Sequence, residues 1–184
     1  HRSNGPLVVA AVAAPRYVDE LIEAVKAGTV ERWRARFRSV GALVMDDVQL
    51  LAGRKRTQEE FLLLFSALVG ARKPVVLSSD RAPGDIPDLD PRLRSRFEGG
   101  IVVPIQPPDY PMRERLVARH LAAAGRDANP PLIAALAALA VQSAREIAGT
   151  VNRLGAAADA AGCLLTEPFV RSALGQERVP VAPA

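Results

Sequence analysis

The 184-residue chain is 49% hydrophobic and 24% charged, with 24 lysines and arginines against 20 acids, a balance that fits one or two folded domains and excludes a disordered polyelectrolyte. No uninterrupted apolar run approaches the roughly 20 residues a membrane helix needs, and His1 to Pro6 lacks the basic-then-apolar layout of a secretory signal, so a cytoplasmic protein is expected. One cysteine, Cys163, rules out an intrachain disulfide and is expected as a small buried core side chain, while the net charge of +4 is carried almost wholly by arginine, only Lys26, Lys55 and Lys73 being lysines.

Arginine suits bidentate contacts with phosphate and carboxylate, although a genome biased toward arginine codons gives the same enrichment. In chain order, Leu7 to Val12 reads as a buried, valine-rich strand, and Pro15 sits where a first helical turn begins. Tyr17, Leu21, Ile22 and Val25 have helical spacing and end at Gly28; Thr29 then caps a second helix with Val30, Trp33 and Phe37 on one face. Val40 to Met45 is a second strand, ended by Asp46 and Asp47. The basic loop Arg54, Lys55, Arg56 precedes a predicted capping box of Thr57 and Glu60, at the start of a helix running to about Ala71.

Val75 to Leu77 predicts a third strand, ending in Ser78, Ser79 and Asp80. Pro83, Pro87 and Pro91 punctuate a loop before the run Arg92, Arg94, Arg96, and Ile101 to Ile105 reads as a fourth strand closed by Pro107 and Pro108. From Asp109 the pattern is helical: Tyr110 to Ala124, Pro131 to Ala140, Ala144 to Ala161, and a shorter helix after Thr166. A tail from Gly175 reads as linker. Strands alternating with helices, then helices alone, predict a parallel α/β domain over residues 1–108, a small all-α lid over 109–175 and a tail over 176–184.

The chemistry concentrates at Leu43-Val44-Met45-Asp46-Asp47. A parallel sheet presents its functional crevice beyond the carboxyl ends of its strands, which is where both acids are delivered. One acid can hold Mg²⁺ through its water shell while the other polarises a water, the division of labour of phosphoryl-transfer ATPases. Taken alone, the pair also reads as a strand end entering a turn.

Met45 to Gly53, followed by Arg56-Thr57-Gln58-Glu59-Glu60-Phe61, resembles the Walker B region of the bacterial DnaA replication initiators, a family of AAA+ ATPases. Leu77-Ser78-Ser79-Asp80-Arg81-Ala82-Pro83, Arg92-Leu93-Arg94-Ser95-Arg96-Phe97, Ile105-Gln106-Pro107-Pro108-Asp109 and Ala144-Arg145-Glu146-Ile147-Ala148-Gly149 with Asn152-Arg153 extend the likeness, in family order, from about Leu7 to Leu174. The resemblance implies part of an AAA+ P-loop NTPase, a parallel sheet with helices on both faces, followed by the helical lid. Its cofactors are ATP and Mg²⁺. Asp46 matches the Mg²⁺-associated acid, Asp47 the acid that orients water, and Asp80 the sensor 1 position. Arg96 matches the arginine finger that reaches a neighbouring subunit's nucleotide, Arg92 a second subunit-contact arginine, and Arg145 the lid's sensor 2, which reads the γ-phosphate.

The family's single-stranded DNA contacts fall here on Ile22, Arg54 and Arg56, where basic groups meet phosphates and an aliphatic group packs on sugar or base. As plain sequence, Ile22 also reads as core and the arginines as a solvated loop. Implied partners are DNA, further copies of the chain through the finger, and helicase or regulatory AAA+ proteins. Glycine stands after Glu98 where the family usually has tryptophan. Two histidines, His1 and His120, and one cysteine offer no zinc spacing. No G-x-x-x-x-G-K-S/T loop occurs, so the chain is expected to be inactive alone. Family order places that loop, and a central strand between Val75–Leu77 and Ile101–Ile105, just before His1, and a duplex-reading helix-turn-helix after the tail. The two strands are then expected either to pair directly or to leave the chain marginally stable. An ATPase-dead regulatory relative and another AAA+ loader are the alternatives.

Overall fold

Three apolar runs form one parallel sheet in the order β1 (Val9–Ala13), β2 (Ala42–Asp46), β3 (Val75–Leu77). The structure, a computed structural model, describes residues 8–139 and 143–176; the expected strand start at Leu7, the helix end at Ala140 and the tail beyond Gln176 lie outside them. Val9 is opposite Ala42 and Ala13 opposite Asp46, while Leu43 is opposite Val75 and Met45 opposite Leu77. Side chains alternate across the pleat. Leu43 and Met45 are therefore fully buried, whereas Val44 and Val76, paired on the other face, are exposed.

Parallel strands need long crossovers, and helices supply them. Between β1 and β2 run α1 (Ala14–Lys26), with Pro15 in its first turn, and α2 (Val30–Ser39). After β2, a 3-10 turn over Val48–Leu51 leads into α3 (Lys55–Gly70), which returns the chain to β3. The predicted helical faces pack together: the Tyr17 ring lies 4.9 Å from Trp33, 5.3 Å from Phe37 and 5.7 Å from Phe61. Tilted and edge-on rings at these separations are the favoured aromatic geometry. They join α1, α2 and α3 over the covered side of the sheet.

Thr57 and Glu60 do not form the predicted capping box. Helix α3 begins two residues earlier, at Lys55. Both residues are buried, and Glu60 is drawn instead into a bidentate pair with Arg34 of α2, whose Nε donates to Oε2 at 2.8 Å.

The arginine run forms a helix of its own, α4 (Pro91–Glu98). Asp90 caps it by accepting the Arg92 N–H at 2.8 Å, and Pro91 is tolerated because a first-turn residue has no intrahelical partner for its N–H. Ile101–Ile105, predicted as a fourth strand, is not one. It runs without strand pairing, with Ile101 96% and Ile105 95% exposed. Paired strands lie about 4.8 Å apart, whereas a groove of about 220 Å³ separates β3 from Ile101–Val103. Direct pairing of the two segments does not occur.

The chain divides into two units at Pro104/Ile105. The second is α5 (Tyr110–Ala123), α6 (Pro130–Ala137), α7 (Ala144–Ala160) and α8 (Glu167–Gln176) around Val117, Leu121, Leu132, Ile147 and Val151. Asp109, Asn129 and Ser143 each accept a backbone N–H at the start of the first three. Helix α8 continues through Gly175, where the tail was predicted to begin. Cys163 is exposed rather than buried, because it follows the left-handed Gly162 in the turn after α7, off that helix's apolar stripe. No helix of the described residues is long and apolar enough to cross a membrane.

Candidate functional site

The parallel register brings the ends of β2 and β3 side by side, and with them three oxygen-bearing side chains. Ser78, just past β3, donates its hydroxyl to Asp46 Oδ1 and accepts the Asp47 N–H at 3.1 Å. The backbones are stitched as well: the Ser78 N–H donates to the Met45 carbonyl at 2.9 Å and the Val48 N–H to the Ser78 carbonyl at 2.9 Å. Asp47 sits in the left-handed region at φ 57°, a conformation aspartate tolerates better than most residues. That turn points the chain away from the strand, and Gln49 Nε2 donates to Asp47 Oδ1 at 3.1 Å. Both acids are exposed.

Two carboxylates and a hydroxyl are hard oxygen donors of the kind Mg²⁺ takes. The described residues contain no cluster of three or more acidic, histidine or cysteine side chains able to hold a metal. A Mg²⁺ at Asp46 and Asp47 would therefore keep most of its water shell and depend on phosphate oxygens, which is this ion's usual habit. The donor set fits on those terms.

Asp80 lies two residues beyond Ser78 and is held by its neighbour: Arg81 Nε and its terminal nitrogen donate to the two carboxylate oxygens at 2.8 and 2.9 Å. The hydrogen-bonding guanidinium holds the Asp80 carboxyl below the usual carboxylate range. Arg81 and Arg96 line the groove between β3 and Ile101–Val103, together with Ser78 and Ser79. Arg92 is turned toward Asp90, with a guanidinium nitrogen 2.9 Å from the carboxylate.

Arg54 and Arg56 are exposed at the start of α3, and Ile22 is 42% exposed on α1. Ile22 thus stands at the surface, although its neighbours Tyr17 and Leu21 are core. Arg145 is exposed in the first turn of α7, in the second unit.

The structure therefore brings Asp46 and Asp47 together, with Asp80 just beyond the serine that binds them, and puts Arg96 on the adjoining groove. Ser78 and Arg81 were not singled out from the sequence. Their signal was available: a parallel neighbour of a strand ending in Asp-Asp places its own terminal polar residues against those acids.

A family model described as the Bacterial DnaA ATPase domain matches residues 2–104. The chromosomal replication initiator protein DnaA of Geobacter metallireducens is 38% identical over 159 residues, covering 86% of this chain and 35% of the relative. That of Symbiobacterium thermophilum is 37% identical over 98% of this chain and 39% of its own length, so the chain spans little more than a third of these curated relatives. A solved replication initiator DnaA bound to AMPPCP and single-stranded DNA superposes with a TM-score of 0.73 at 33% identity, over 80% of this chain and 46% of the other. Domain III of the Thermotoga maritima replication initiation protein DnaA shares the fold, with a TM-score of 0.85 at 24% identity over 97% and 75% of the two chains. The chain belongs to the DnaA family of bacterial chromosomal replication initiators.

Proposed function

We propose that this chain is part of an initiator that binds ATP with Mg²⁺, contacts single-stranded DNA, assembles with further copies at the chromosomal origin and opens the duplex there. The observation that carries the reading is the convergence of Asp46, Asp47 and Ser78 at the carboxyl edge of the sheet, with Asp80 two residues on. When bound, ATP with its metal supplies a hydrolysable phosphoanhydride and a concentrated negative charge. In this reading Asp46 holds the metal's water shell and Asp47 accepts a hydrogen bond from the water it orients. Asp80 hydrogen-bonds in the same site. Arg96 answers a neighbouring subunit's phosphate charge, Arg92 steadies the subunit contact, and Arg145 reads the γ-phosphate from the lid. A cation supplied across an interface ties assembly to nucleotide occupancy, because the charge it meets exists only while the triphosphate does.

For DNA, the exposed Arg54 and Arg56 pair with phosphates and Ile22 offers an apolar contact to sugar or base. The solved relative bound to AMPPCP and single-stranded DNA supports both ligand classes. Fluorescence anisotropy of a labelled oligo-dT tests the nucleic-acid half. Affinity should fall steeply with salt, and Arg54→Ala with Arg56→Ala should lower it about tenfold and reduce the salt slope by about 1 to 2. Binding that is absent, insensitive to salt, or unchanged by the double variant overturns this reading.

A further inference from the structure

The buried Gln58 hydrogen-bonds through both ends of its side-chain amide. It is one of the few buried polar residues among those described, with only 3% of its surface exposed. It lies on α3, two residues after Arg56 and four after Arg54. Its side-chain amide reaches the segment leading into α4 with both polar ends. Nε2 donates to the Asp88 carbonyl at 3.0 Å, and Oε1 accepts the Asp90 N–H at 2.6 Å.

The loop before α3 joins the same clasp, since the Gly53 N–H also donates to the Asp88 carbonyl, at 3.1 Å. Gly53 at φ 72° and Asp88 at φ 54° are both left-handed. Two sharp turns thus meet across one carbonyl. On the other side, Asp90 passes the constraint onward. Its carboxylate accepts the Arg92 N–H at 2.8 Å and holds the Arg92 guanidinium at 2.9 Å.

Burying an amide is costly unless both its ends are paired, and losing one partner leaves the other dry and unsatisfied. Breaking either half of the clasp therefore carries a cost. The far end of α4 also rides on α3, through Phe97 at 6.3 Å from Phe61 and 5.8 Å from Phe65. One helix carries the basic loop at its start and holds the arginine helix at two points.

We propose that Gln58 is a positioning residue that couples the Arg54–Arg56 loop to α4, so that single-stranded DNA held at the loop resets the placement of Arg92 and Arg96 toward a neighbouring subunit. This rests on the DNA and subunit roles proposed above. Linkage makes the coupling reciprocal: a partner docked on α4 raises DNA affinity by the factor by which DNA favours docking.

The test is a titration of the isotope-labelled 184-residue chain with oligo-dT, read by amide chemical shifts. In the wild type, shifts are expected at Gly53 to Thr57 and also at Asp90 to Arg96. In Gln58→Leu the first set should remain and the second vanish; Gln58→Met, unbranched, without a donor and with only a weakly accepting sulfur, serves if the leucine variant does not fold. Persistence of the α4 shifts in either folded variant overturns the proposal. So do wild-type shifts confined to Gly53 to Thr57, which leave the DNA reading standing. Absence of shifts at Gly53 to Thr57 removes the DNA reading itself, and the coupling falls with it.

Discussion

Ser78 donates its hydroxyl to the carboxylate of Asp46, so the end of β3 fixes the acid at the end of β2. The same oxygen accepts the Asp47 N–H at 3.1 Å. One hydroxyl thus orients two consecutive acids. Ser78→Ala should lower stability by about 1 kcal/mol, at the modest end for a hydrogen bond open to water. Urea denaturation gives the value, and a change below experimental error would mean that water replaces the hydroxyl fully.

Tyr17 is completely buried, and its hydroxyl has no hydrogen-bond partner. Removing an unsatisfied buried hydroxyl while keeping the ring relieves a desolvation cost, so Tyr17→Phe should be neutral or stabilising by up to about 1 kcal/mol. Burial raises the Tyr17 pKa, and the nearby Glu60 charge raises it further, against a lowering by Arg34. The native state then keeps a proton that the unfolded chain releases above about pH 10, so stability should fall as pH rises beyond that point. Alkaline melting curves should show a shallower loss for Tyr17→Phe; identical slopes would exclude this residue as the cause.

Asp90 is held below its ordinary pKa, first by the side-chain hydrogen bond from Arg92, then by the backbone N–H it caps. The folded state favours the ionised form, so this contribution is complete above the unfolded value of about 4 and is lost as pH falls through the folded one. Protection of the Arg92 and Leu93 amides from hydrogen exchange, relative to their intrinsic rates, should fall selectively as pH drops through the lowered pKa of Asp90. Asp90→Asn keeps a capping oxygen without the titration, and should remove that pH dependence. Equal acid sensitivity in wild type and variant would point to a different group.

In the second unit, the Arg126 guanidinium lies over Gly155 and pairs with Asp159 at 2.6 Å. A Cβ at Gly155 would stand 2.6 Å from Arg126 Nε, too close unless the arginine moves. Alanine inside a helix is otherwise favoured over glycine by roughly 1 kcal/mol. Gly155→Ala should therefore gain little in the wild type, and close to its full propensity benefit in an Arg126→Ala background. Thermal melts of the four-member cycle read the difference, and additive effects would mean that the arginine swings aside freely.

Much of the fold was legible because it rests on local rules. Short apolar strands and helical spacing from Tyr17 to Val25 are written in consecutive residues, as are the paired acids after β2. The family likeness was legible for the same reason: its motifs are short and contiguous. Tertiary structure alone decided the rest. Whether Ile101–Ile105 becomes a strand depends on a hydrogen-bonding neighbour, and among the described residues β3 pairs only with β2. Glu60 chose Arg34 of another helix over its own helix's start, and Ser78 and Gln58 gained their roles only when the sheet register and the helix packing brought distant residues within hydrogen-bond reach. A sequence fixes which groups a segment can offer; which partner each one meets is settled by long-range packing, since pairing strength depends on distance and burial and neither is local.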